Sequence, residues 1–164
     1  MTTNTANRAR SGGAPATKLT LWQIITLVFM VGAVGISTYL SYTEGFGAAV
    51  ACPPNPAFDC GTVQASVYAK VAGIHVAWLG LAFNLVIVGS ILLANRIPLL
   101  QEFGPVLTTG LLFFGVLFSI WLIYVQAVLL NAYCIWCVLH EVLIFGAFLT
   151  SLPTLITHLR EEAA

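Results

Sequence analysis

"LLNAYCIWCVLHE", residues 129–141, decides how this chain folds. It lies in a run from Phe103 to His140 that carries no formal charge. One helix over those 38 residues would be about 57 Å long at about 1.5 Å per residue, far more than a hydrocarbon core of about 30 Å needs. The run must therefore fold back. The weak point is "NAYC", residues 131–134, where Asn131 is the only strongly polar side chain apart from Gln126. A turn there leaves two cysteines, a histidine and a glutamate at the lip of an apolar hairpin, a costly place to keep such groups.

The rest of the chain fits a membrane solvent. It is 59% hydrophobic and 7% charged, with mean hydropathy +0.95, whereas soluble domains carry about a quarter charged residues. Net charge is zero, so no polybasic surface is available for nucleic acid. Residues 1–17, "MTTNTANRARSGGAPAT", cannot bury enough apolar surface to order and read as a disordered cytoplasmic tail. The apolar run that follows is too long for a signal-peptide core of about 7–15 residues. It reads as a retained span. Spans are expected at about 19–43, 71–95, 105–130 and 135–157, each near the ~20 residues a crossing requires, inside a membrane domain 18–158 that ends in a tail, 159–164. The fold class is an all-α membrane protein, a four-transmembrane-helix bundle.

Basic residues orient it. Arg8, Arg10, Lys18, Arg96 and Arg160 fall on one side of such a bundle and Lys70 alone on the other. The positive side is cytoplasmic. The expectation is a multi-pass protein of the cell membrane with both termini cytoplasmic. Segments 44–70 and 131–134 are then extracytoplasmic, and all four cysteines lie in or beside them.

Cys52 and Cys60, in "ACPPNPAFDCGTV" (51–63), are satisfied by a bland reading, a disulfide stapling a proline-rich loop in an oxidising compartment. Cys134 and Cys137 are not. A C-x-x-C pair closes too small a loop to stabilise much, while a helix N-terminus favours the thiolate and hence redox chemistry. Zinc commonly takes two short hooks, and C-x7-C is not one, so no metal is expected. Two pairs on one side suggest a relay. The outer pair exchanges with a soluble protein, and the inner pair passes two electrons to a carrier dissolved in the bilayer. A quinone meets that description.

His140 and Glu141 follow Cys137 by three and four residues, on the same helical face. They are candidate acid–base groups for quinone reduction, or else rim anchors for the last span. His75 near the outer end of span two is a candidate for the pocket wall. Asn84 is either interhelical glue or pocket lining. Trp22, Trp78 and Trp121 suit interfacial belts; Trp136, inside the C-x-x-C, also suits the mouth of a quinone site. Asp59 either tunes docking beside Cys60 or solvates the loop.

The order of these features resembles the vitamin K epoxide reductase family in its bacterial or archaeal quinone-reducing form. The resemblance covers about residues 20–157 and rests on Cys52-x7-Cys60, then "VQASVYAKVAGI" (63–74), two spans, and "CIWC" (134–137) opening the last helix. Val63, Ser66 and Tyr68, with Gly73 and Gly80, match the family's spacing. The DsbB-type family places its C-x-x-C in the first outer loop, the reverse of the order here. The resemblance implies a cap formed by the first loop and its short helix, with quinone held near Cys137, His140, Trp136, Ser66 and His75. It also implies that Cys52 meets the partner, Cys60 exchanges with Cys134, and Cys137 faces ubiquinone or menaquinone. Many relatives continue into a thioredoxin-like domain. This chain stops at Ala164, so a separate DsbA-like thioredoxin-fold partner is expected. The rivals are a four-span scaffold with static disulfides and a small transporter, which would need midplane charges that this sequence lacks.

Overall fold

The computed structural model describes residues 19–55, 57–94 and 96–163. The expected tail, 1–17, lies outside them, and so does Lys18. Helix α1 runs Leu21–Phe46. It starts at a capping box in which the Thr20 hydroxyl accepts the Gln23 N–H (3.3 Å) and the Gln23 side chain accepts the Thr20 N–H (2.9 Å), satisfying two otherwise orphan donors. It stops at Gly47, whose φ of 63° suits a residue without Cβ.

The loop after α1 carries the short helix α2, Cys60–Ala65, and a single 3-10 turn, Val67–Ala69. A two-stranded antiparallel hairpin follows, β1 Lys70–Val71 with β2 Ile74–His75, in the register Lys70↔His75 and Val71↔Ile74. Its two-residue turn has Ala72 at φ 51° and Gly73 at φ 85°, the paired positive values of a tight hairpin turn. This hairpin occupies the first residues of the stretch read as span two, 71–95, so helix α3 is shorter, Val76–Leu93.

Helix α4 runs Pro98–Tyr124, with a proline in its first turn, where a missing N–H costs nothing. It therefore begins earlier than residue 105 and holds Pro105 inside. It continues as a π-helical turn, Val125–Leu130, ended by Asn131 in a left-handed conformation. Helix α5 runs Ile135–Glu162, past residue 157.

Among the described residues four helices are long and apolar enough to cross a membrane: Leu21–Phe46, Val76–Leu93, Leu99–Leu130 and Ile135–Glu161. Helix α1 packs between α3 and α5, and α4 against α5 and α3. Met30, Ala33, Ile87, Ile91, Leu112, Val116, Ile144 and Ala147 form the buried centre. Large apolar side chains such as Val28, Val86, Leu117 and Leu149 face outward. That is the surface of a bundle solvated by lipid. The fold is the expected four-helix bundle with a short-helix cap on one end.

Candidate active site

The cap is fastened to the α4–α5 turn. Phe58 and Tyr133 form an isolated parallel β-bridge, and the Asp59 N–H donates to the Tyr133 carbonyl at 3.0 Å. The next residue on each strand is a cysteine. Cys60 is 1% exposed and Cys134 is fully buried, and both pack in one apolar cluster with Val63 and Ala132. Cys60 is disulfide-bonded to Cys52, while Cys134 and Cys137 are free thiols. Cys52 is half-buried between exposed Ala51 and Pro53. Attack from outside therefore meets Cys52 before Cys60.

Local chemistry places each sulfur. Asp59 caps α2: its carboxylate accepts the Thr62 N–H (2.9 Å) and the Thr62 hydroxyl (2.6 Å). Those bonds, the hydroxyl's first, hold the Asp59 carboxyl below the usual range. Cys134 caps α5, its Sγ accepting the Cys137 N–H at 3.3 Å. A hydrogen bond from the Cys137 thiol, then the backbone N–H groups of Cys137 and Trp136, draw the Cys134 thiol below its ordinary value despite burial. Cys134 is thus the more nucleophilic partner of its pair.

Ala51, the neighbour of Cys52, is held at both backbone groups. Its N–H donates to the Tyr39 hydroxyl (3.0 Å) and its carbonyl accepts the Trp136 indole N–H (2.7 Å). The Tyr39 and Trp136 rings lie together, centroids 4.9 Å apart.

Below the cap lies a cavity of about 370 Å³, within the range of small-ligand pockets. Cys137, His140 and Glu141 line it from α5, Glu44 and Ser37 from α1, and Gln64, Ser66 and Tyr68 from the cap; Phe83, Phe114, Phe118 and Ile144 continue it among the helices. The lining is mostly apolar, with thiol, imidazole, carboxyl and hydroxyl groups among it. Such a site fits a ring with polar edges and an apolar tail.

Of the residues singled out in the sequence, Cys137, His140, Glu141 and Ser66 meet at this cavity. His75 and Trp136 are not among its described lining residues. His75 ends the hairpin, its Nδ1 lying 3.1 Å from a Glu44 carboxylate oxygen, and Trp136 is turned to the Cys52 loop. Asn84 is fully buried and bridges helices: its amide N–H groups donate to Ser37 Oγ (3.2 Å) and to His140 Nε2 (2.9 Å). That makes Nε2 of His140 an acceptor.

Two site residues escaped the sequence reading. Glu44 is a charge that seemed only to end span one, yet it lies within α1. Gln126 accepts the Cys134 N–H at 2.9 Å through its Oε1 and donates through Nε2 to Glu141 Oε1 at 3.4 Å. The available hint was that Glu44 and Gln126 are polar residues at the ends of apolar runs.

No curated protein matches this chain. The family description "Vitamin K epoxide reductase family" matches residues 16–152, which includes all four cysteines, every helix of the cap and most of α5. Bundle, cap and paired cysteines thus agree with that match, and the chain belongs to the vitamin K epoxide reductase family, membrane oxidoreductases that act through disulfides.

Proposed function

We propose that this protein reoxidises an extracytoplasmic, DsbA-like thioredoxin-fold partner and passes the two electrons to a membrane quinone, ubiquinone or menaquinone. The observation that carries this reading is the burial of Cys60 beside Cys134 under the Asp59–Tyr133 clamp, with Cys137 opening onto the cavity.

The steps balance. A partner thiolate attacks Cys52 and displaces Cys60; the partner's second thiol resolves that mixed disulfide and leaves oxidised. Cys60 then attacks Cys134 of a Cys134–Cys137 disulfide and displaces Cys137. Cys52 attacks Cys60, frees Cys134 and restores Cys52–Cys60. The resulting state, outer pair bonded and inner pair reduced, is that of the present structure. Oxidation of the inner dithiol forms its S–S bond and gives two electrons and two protons to quinone, which leaves as quinol. His140 and Glu141 are the acid–base groups for those protons. Ser66 borders the same cavity, while Trp136 and His75 act at its margins. The basic residues orient the cysteines to the extracytoplasmic side, with both ends of the chain cytoplasmic and the four long helices as its spans.

The test uses purified protein, a reduced thioredoxin-fold partner and a short-chain quinone, with each cysteine changed to alanine. Each change abolishes partner-to-quinone electron transfer. Turnover that survives both Cys134→Ala and Cys137→Ala ends this reading. A static scaffold, by contrast, keeps its cysteines oxidised when quinone is depleted.

A further inference from the structure

We propose that Gln126 is a positioning residue that ties the Cys134 end of the inner pair to the Glu141 carboxyl, so that a proton released as the pair oxidises reaches the cavity through that carboxyl. The inference rests on the reading of Glu141 as an acid–base group.

Gln126 is 3% exposed and sits in the π-helical turn, a local irregularity that often marks functional positions. Every hydrogen-bonding part of it is engaged. Its Oε1 accepts the Cys134 N–H at 2.9 Å, and its Nε2 donates to Glu141 Oε1 and to the Leu122 carbonyl, each at 3.4 Å. Its own carbonyl accepts the Ala132 N–H at 3.1 Å and the Asn131 N–H. A side-chain amide accepts at its oxygen and donates twice from its nitrogen. Leucine does neither, and an ionised glutamate cannot donate.

Glu141 is 2% exposed, and its second oxygen, Oε2, has no hydrogen-bond partner among the described residues. One carboxylate oxygen thus meets Gln126 and the other is uncommitted, on a residue that lines the cavity. Titratable groups near this carboxyl are Cys134 and Cys137 at the start of its helix, the adjacent His140, and Glu44 across the cavity. When the inner dithiol becomes a disulfide, two S–H bonds break. Glu141 as carboxylate takes one of those protons and returns it to a quinone oxygen, ending unchanged, while the other reaches the second quinone oxygen through His140, which lines the same cavity.

The test is single-turnover oxidation of the full chain, outer pair bonded and inner pair reduced, by a short-chain quinone across a pH series. The wild-type rate rises with pH in two limbs, one that tracks Cys134 thiolate absorbance and one set by Glu141. Glu141→Gln removes the second limb. Gln126→Glu and Gln126→Leu both move it upward by about one pH unit, because the carboxylate has lost its donor or gained a like charge. Gln126→Glu is near-isosteric and carries the test alone if the leucine variant does not fold. A uniformly slower rate with the second limb unmoved, while Glu141→Gln abolishes it, overturns the role of Gln126 and leaves that of Glu141. A second limb that persists in Glu141→Gln overturns both.

Discussion

The backbone N–H of Asp59 donates to the carbonyl of Tyr133 at 3.0 Å, and each of these residues immediately precedes a buried cysteine. One hydrogen bond thereby sets the register of two strands that are far apart in sequence. It also brings Cys60, at the first position of α2, against Cys134, the cap of α5.

If the register holds in solution, the two inner-facing sulfurs form a bond once their usual partners are removed. In a Cys52→Ala, Cys137→Ala double variant, mild oxidation should produce a Cys60–Cys134 disulfide in nearly all molecules. Mass spectrometry of the linked peptides measures it. Persistence of both free thiols under oxidant would sink the geometry on which the relay depends.

The second prediction concerns pH. Hydrogen bonds from the Cys137 thiol and from backbone N–H groups favour the Cys134 thiolate, so its ionisation midpoint lies below the ~8.5 of a free cysteine. Ultraviolet thiolate absorbance, taken as a difference from Cys134→Ser, should rise below that pH. Cys137→Ala removes the leading donor and moves the midpoint upward. An unmoved midpoint would mean that the Cys137 thiol is not the cause.

The spans were legible because about 20 apolar residues in a row have few other uses, and the C-x-x-C because its spacing is local. The hairpin was not. "VAGI" (71–74) is uncharged and runs almost directly into the helix that follows, and Ala72 at positive φ gives no turn signal. Hydropathy therefore assigned residues 71–75 to the membrane. Gln126 was hidden for another reason: its partners lie eight and fifteen residues away, and a π-helical turn breaks the 3.6-residue spacing by which a face is read. By sequence Trp136 suits either an interfacial belt or the mouth of a quinone site; Cys134 and Cys137, three apart, share a helical face, and Trp136 between them points away from it. The Tyr39 ring and Ala51 wait on that other side.

Packing between α1 and α5 gives a stability prediction. A Cβ at Gly146 would fall 2.7 Å from Cε1 and 2.9 Å from Cζ of Phe29. The ring is partly buried against the core, so relief requires it or the helices to shift. Gly146→Ala should lower stability by about 1–3 kcal/mol, read from reversible unfolding in a denaturing detergent. Phe29→Leu in the same chain should recover part of that loss. Equal loss with and without the second change would place the strain elsewhere.

Trp136 gives the last prediction. Its indole N–H holds the Ala51 carbonyl at 2.7 Å while the Tyr39 hydroxyl holds the Ala51 N–H at 3.0 Å, so the residue before Cys52 is pinned from both sides. Trp136→Phe keeps an aromatic ring beside Tyr39 and deletes only the donor; Tyr39→Phe deletes only the acceptor. Each loss, worth about 1 kcal/mol, should raise the opening of the Cys52 loop about fivefold, seen as faster amide exchange and proteolysis across residues 50–58. Electron transfer from Cys52–Cys60 to Cys134–Cys137 should slow with it. The double variant should fall short of the product of the two effects, since both bonds restrain one peptide unit. A Trp136→Phe protein whose loop stays protected, but whose KM for quinone rises, would instead put the indole at the quinone.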